Sequence, residues 1–291
     1  MSHPQSIPFQ QALALVVEAA AQKSLATEQV TLTAALGRVS TSAVLAPIDV
    51  PGFAASRMDG FAINTKFLEG GQPHKLRIGA AIHASKQNQP YTCEDQAIPI
   101  MTGGMMPVDA DAIIIKEQAQ KLNGRLVFDV EPKAGQYIRP QGSDVQTGDV
   151  VLPANTQLDA PSLGQLASLG IDSIEVWRQP KVALMMCGDE LVSPGEPCEP
   201  GEVYDANGVM LSSWLTSLGC QVTLLPPLAD NQEHVIDRLK SINQERFDLM
   251  ISVGGVSQGD KDWLPSSLMA TGKIIFHKVT IKPGFPLLFG T

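Results

Sequence analysis

Lys181–Glu190 reads KVALMMCGDE, and Leu249–Asp260 reads LMISVGGVSQGD. Each is a short apolar run that stops abruptly at glycine and carboxylate. A continuous apolar run bounded by turn residues is the pattern of a strand buried on both faces. Between them, Val209–Leu218 reads as a helix with Asn207 as its cap, and Val222–Leu225 reads as a strand. Residues 231–244 read as a second helix, with Val235, Ile236, Leu239 and Ile242 on one face and Asp230 and Glu233 as a capping box. A short helix after Asp262 and a strand near Ile274–Ile281 complete the run. Strand and helix alternating at this spacing predict a parallel sheet with right-handed crossovers.

Upstream the texture differs. Phe9, Ala12, Leu13, Val16, Val17 and Ala20 repeat at helical spacing, with Pro8 in the first turn. Pro47–Phe53 reads as a stiff extended connector. From 54 to 144, short apolar runs (Leu76–Ile82, Ala112–Ile115, Arg125–Val130) are separated by Gly, Pro and Asn, the pattern of a β-rich module. Residues 145–178 are mixed again, with a helix expected at Pro161–Leu169. The expected fold class is therefore multidomain α/β with a β-rich inserted module. Residues 1–46 and 145–178 would form one discontinuous domain, 47–144 the insert, and 179–291 a three-layer α/β domain.

The 291 residues are 44% hydrophobic and 18% charged, enough apolar content to bury cores and to exclude global disorder. The formal net charge is −9, with no Lys/Arg run, which argues against nucleic acid and anionic membrane as partners. The apolar stretch Ala12–Ala21 is interrupted by Glu18 and is too short to span a bilayer. Cys93, Cys187, Cys198 and Cys220 lack zinc-site spacing and suit a reduced, cytoplasmic setting. The five histidines form no metal or triad pattern.

Ligands of open α/β sheets bind beyond the carboxyl ends of the strands. The loops expected there carry Gly188-Asp189-Glu190, Asp230, and Gly254 to Asp262 with Ser257 and Asp260. Carboxylates from three strands suit Mg²⁺, which takes a few carboxylates plus substrate oxygens. Each also has a plain structural reading: Asp230 as a helix cap, Asp189-Glu190 as a solvated turn, the glycines as a tight turn. The glycine loop is neither a Walker A nor a G-x-G-x-x-G sequence, but its backbone N–H groups could hold an anion. Lys278 and Lys282 follow on the next strand. Met58-Asp59-Gly60, Thr102-Gly103 and Gly142-Ser143-Asp144 read in isolation as turns.

Taken in order, Pro51-Gly52-Phe53, Ser56, Met58-Asp59-Gly60-Phe61-Ala62, Thr102-Gly103, Asp109-Ala110-Asp111-Ala112, Gly188-Asp189-Glu190-Leu191, Gly254-Gly255-Val256-Ser257 with Asp262, and Lys282-Pro283-Gly284 form a specific set. That set resembles the molybdopterin molybdenumtransferase family (the MoeA type, related to the gephyrin E domain) over essentially the whole chain. The resemblance implies a cytoplasmic homodimer with an elongated dimerisation domain, an inserted β domain and a molybdopterin-binding α/β domain. It implies insertion of molybdenum from molybdate into adenylylated molybdopterin, with Mg²⁺ and release of AMP. Residue by residue, it places catalytic roles on Asp59, Asp144, Glu190, Asp230 and Asp262, with Glu190 and Asp230 as the metal ligands. Substrate-binding roles fall on Thr102, Gly254, Gly255, Ser257, Lys278 and Lys282. It also implies that Asp59 of one subunit serves the α/β domain of the other.

The chain departs from the family pattern in places. Arg57 stands for a small residue, Ala54-Ala55 for a polar pair, Ser143 for Glu, Cys187 for Thr, and Phe285 for Lys. Phe285 should leave a less positive rim than a lysine would. The family's Pro-Gly-Asn-Pro loop and small C-terminal β domain would fall beyond Thr291, so the resemblance implies that the C-terminal domain is lacking. Two readings stay open: an active transferase, and a non-catalytic or degenerate molybdopterin-binding dimeric scaffold.

Overall fold

A computed structural model describes residues 6–68, 70–81, 92–228, 232–244, 247–254 and 264–291. The chain divides into two units: one of Met1–Val30, Gly37–Val39 and Glu175–Thr291, the other of Thr31–Leu36 and Ser40–Ile174. Helices α1 (Phe9–Ala21), α2 (Ala160–Ser168), α3 (Ala206–Ser217), α4 (Gln232–Gln244) and α5 (Leu264–Thr271) lie among the described residues. The expected α/β class with a strand-rich segment is what the chain adopts; the three-domain division stays a proposal.

The unit centred on residues 40–174 is built around a six-stranded sheet. Its strands are β1 (Gly60–Ile63), β2 (His74–Ile78), β3 (Gln96–Ile100), β4 (Ala112–Ile115), β5 (Ala119–Leu122) and β6 (Arg125–Phe128), in the order β4-β1-β3-β2-β6-β5. Only β2 and β3 run parallel. All four residues of β1 are buried. Alternation sends Phe61 and Ile63 into a cluster with Leu76, Ile114 and Phe128, while Ala62 joins Ile100, Met106 and Ile113 on the other face. Hence β1 is apolar at every position. In α2, Asp159 accepts from the Ser162 N–H at 2.8 Å and caps the helix.

The other unit holds β7 (Lys181–Cys187), β8 (Gln221–Leu228), β9 (Leu249–Val253), β10 (Ile274–His277) and β11 (Leu288–Gly290). β7, β8 and β9 form the expected parallel sheet in the order β8-β7-β9, with Val182 opposite both Val222 and Leu249. Five of the seven residues of β7 are buried. Met185 packs with Val235, Leu239 and Leu264, and Ala183 with Leu225 and Ile242, so the apolar face read on α4 covers the sheet.

Two local expectations change. Asp205, not Asn207, caps α3, its carboxylate accepting from the Gly208 N–H at 2.8 Å. Three residues of separation is the reach at which an aspartate meets the first free helical N–H. The strand expected to Ile281 ends at His277, and it pairs antiparallel with β11, outside the parallel sheet. Lys278, at φ +83°, turns the chain there into a hairpin. In α1, Ala12 is the only fully buried residue of the apolar stripe, packed against Phe276 and Val279. Phe9, Leu13 and Val17 remain 47–58% exposed. No helix among the described residues is long and apolar enough to cross a membrane.

Candidate functional site

The register of β1 sets the first cluster. Gly60 lies opposite Ile100 on β3 and Ile115 on β4. The residue before β1 is thereby brought beside the loop after β3 and the residue after β4. Asp59 Oδ1 accepts from the Thr102 backbone N–H and from the Thr102 hydroxyl, both at 2.9 Å. The Lys116 N–H donates to the Asp59 carbonyl at 3.1 Å, and its ammonium stands 3.5 Å from Oδ2. The Thr102 N–H, helped by the Thr102 hydroxyl and then Lys116, holds the Asp59 carboxyl below its ordinary value of 3.8. Asp59 is an anion at neutral pH and acts as an acceptor. It borders a cavity of about 340 Å³ shared with Phe61, Ile100, Met101, Lys116 and Lys121.

Asp144 belongs to the same unit. Its carboxylate pairs with the Arg139 guanidinium and accepts from the Ser143 hydroxyl at 3.2 Å. Arg139 and Ile138 form a two-residue ladder with Ala55 and Ser56. The strand leading to Asp59 and the Arg139–Asp144 pair therefore hang from one short ribbon. Arg57, which stands where a small residue was expected, joins it through its N–H to the Tyr137 carbonyl at 2.8 Å.

The second cluster lies on the parallel sheet. Because β7, β8 and β9 run in the same direction, the loops that follow them leave from one edge. Gly188-Asp189-Glu190 follows β7, and Gly254 follows β9. Gly254 has φ +88°, and a Cβ there would stand 2.5 Å from the Cys187 carbonyl oxygen. Only glycine lets the two loops approach so closely. The Glu190 carboxylate folds back over Gly188, leaving 2.7 Å for a Cβ on that residue. Asp230, Gly255, Ser257 and Asp262 lie outside the described residues. Among the described residues no three acidic, histidine or cysteine side chains cluster around a common point. Glu190 is a hard oxygen donor at this edge, of the kind Mg²⁺ accepts, and Mg²⁺ needs only one or two such carboxylates beside its waters.

Lys278 and Lys282 sit on the β10–β11 hairpin, a separate two-stranded sheet of the same unit. Lys278 is half-buried, with its ammonium 5.8 Å from the centroid of the Phe285 ring. The four thiols lie outside disulfides. Burial, reinforced by the Asp109 carboxylate, pushes Cys93 up to about 12, so that thiol is no nucleophile.

Sequence reading missed Lys116 and Arg139. Lys116 meets Asp59 through strand pairing, Arg139 meets Asp144 across a local turn five residues long, and no motif marks either one.

Residues 7–170 match the family profile described as "MoeA N-terminal region (domain I and II)". The chain belongs to the MoeA family. Residues 183–291 match a second profile, "Probable molybdopterin binding domain". This MoeA chain is similar to the molybdopterin molybdenumtransferase of Haemophilus influenzae, 38% identical over 265 residues, covering 91% of this chain and 65% of the relative. The protein of that name from Nostoc is 34% identical over 270 residues, covering 91% and 62%. The MoeA chain thus spans somewhat under two thirds of the length of these two relatives. Two solved structures of the molybdopterin biosynthesis MoeA protein from Pyrococcus horikoshii share its fold, with TM-scores of 0.85 and 0.83. Both are 26% identical; they cover 99% and 98% of this chain and 72% of the other.

Proposed function

We propose that this MoeA chain acts in molybdenum cofactor biosynthesis as a molybdopterin molybdenumtransferase. Its substrates are adenylylated molybdopterin and molybdate, and AMP is released as molybdenum enters the dithiolene. The observation that carries this reading is the Asp59 carboxylate, fixed by both Thr102 donors at 2.9 Å on the rim of a cavity. A carboxylate kept ionised in this way can orient a proton-bearing oxygen by accepting its hydrogen bond. The shared edge of the parallel sheet adds a backbone-lined approach at Gly254 with Glu190 beside it.

The remaining roles are those that the family resemblance implies, and the chemistry of each residue suits them. Glu190 and Asp230 would hold Mg²⁺, which supplies positive charge toward phosphate and oxyanion oxygens. Gly254, Gly255 and Ser257 would supply N–H and hydroxyl donors to phosphate, with charge added by Lys278 and Lys282. Asp144 and Asp262 act as further oxygen acceptors, with Arg139 orienting Asp144. The protein works as a homodimer in the cytoplasm. The exposed Phe9, Leu13 and Val17 on α1 supply an apolar stripe of the kind a second copy covers.

A non-catalytic molybdopterin-binding scaffold is the second reading, favoured by Phe285 at a position expected to be lysine. The test is AMP release from adenylylated molybdopterin on addition of molybdate. Molybdate-dependent AMP release supports the transferase; tight molybdopterin binding without release supports the scaffold.

A further inference from the structure

Between β10 and β11, residues 278–287 form a loop pinned at Phe285. The Phe285 carbonyl accepts from the Val279 and Leu287 N–H groups, both at 3.0 Å, and the Lys278 N–H donates to the Leu287 carbonyl at 2.8 Å. These bonds set Lys278 and Phe285 across from each other, with Lys282 at the exposed tip. The Lys278 ammonium lies 5.8 Å from the centroid of the Phe285 ring, within cation–π range. Phe285 nevertheless stays 44% exposed, so part of its ring surface is open to a ligand. A phenyl ring has two faces, and a single ammonium occupies one of them. A lysine at this position would add charge; the phenylalanine adds a flat apolar surface beside charge.

We propose that Phe285, steadied by Lys278, is a specificity-determining stacking subsite. It takes the face of a fused nitrogen heteroaromatic whose phosphate is held by Lys278 and Lys282. The inference rests on the functional reading above, in which the ligand is an anion bearing both a pterin and an adenine. It adds which residue recognises a ring and separates that from charge recognition. Ring stacking on an aromatic side chain tolerates different bases because every base has a π face.

Calorimetric titration of the full chain with AMP, neopterin phosphate and ribose 5-phosphate tests this. AMP separates an adenine subsite from a pterin subsite, and ribose 5-phosphate reports the phosphate alone. At least one ring-bearing ligand should bind roughly tenfold more tightly than ribose 5-phosphate. Phe285→Leu keeps the apolar bulk and should abolish that preference, leaving ribose 5-phosphate binding unchanged. Phe285→Tyr should retain it. Phe285→Lys should strengthen ribose 5-phosphate binding while losing the ring preference. Equal wild-type affinities for all three, or a ring preference that survives Phe285→Leu, would overturn the stacking assignment. Lys282→Ala examines the underlying anion site separately. Weakened binding of all three ligands supports that site even where the ring preference fails, whereas unchanged binding of all three overturns it.

Discussion

Asp59 and Glu190 sit in loops that present a carboxylate by opposite means. The Asp59 loop holds its charge with hydrogen bonds: two donors from Thr102 grip one oxygen. Its glycine, Gly103, has φ +81° with no atom within 4 Å of a Cβ placed there. The Glu190 loop is shaped by lack of space. Gly254 combines φ +88° with a Cys187 carbonyl oxygen 2.5 Å from where a Cβ would be. The first loop tolerates added bulk and depends on its donors. The second depends on the absence of a side chain.

The largest effect that separates the two concerns those glycines. Gly254→Val should destabilise its unit by about 3 kcal/mol, from backbone strain plus a forced shift of a strand end. Gly103→Ala should cost about 1 kcal/mol, from backbone strain alone. Urea unfolding of both variants checks the ratio; equal losses would mean that the Gly254 approach to β7 is not constrained.

The next effect is chemical. Asp59→Asn should lower molybdate-dependent AMP release by roughly 10²-fold with little change in stability, because it removes a charged acceptor without removing volume. Thr102→Val should lower it less, and should also raise the Asp59 pKa part of the way back toward 3.8, since the hydroxyl donor is lost while the backbone N–H, the larger contributor, stays. A ¹³C NMR titration of Asp59 reads this shift. An unmoved Asp59 titration would show that the Thr102 hydroxyl does not help to set its charge.

The smallest effect lies at the opposite edge of the parallel sheet. There Arg178 bonds both Asp248 oxygens at 2.6 Å, and the Lys181 N–H donates to one of them at 2.7 Å. Arg178 first, then the Lys181 N–H, holds the Asp248 carboxyl below its ordinary value. A carboxyl lowered on folding contributes stability above pH 3.8, which is lost as pH falls through the folded value. Asp248→Asn should therefore cost about 1 kcal/mol at neutral pH, the pair being partly exposed, and progressively less below pH 3.8. A deficit that stays constant into acid would assign the effect to packing.

Much of the α/β half was legible because its signals are local. Buried parallel strands are apolar throughout, and Val235, Leu239 and Ile242 declare one helix face within a few turns. The β-rich half was legible as strands but not as pairings. Its one parallel neighbour pair, β2 with β3, joins segments whose composition resembles that of the rest. The loop carboxylates could be named from the ordered motifs, whereas their partners could not.

By itself, the sequence determined the alternation of strand and helix after residue 180, the common edge from which the glycine-bearing loops leave, and a net charge of −9 without a basic run. Only the tertiary structure decided that Lys116 meets Asp59 across 57 residues, that Arg139 pairs with Ala55 beside the strand leading to Asp59, and that Lys278 turns a strand into a hairpin facing Phe285. The physical reason is range. Periodicity and turn chemistry are set by neighbours along the chain. Strand pairing and the choice of partner for a charge are set by loop closure and packing, which a linear pattern does not record.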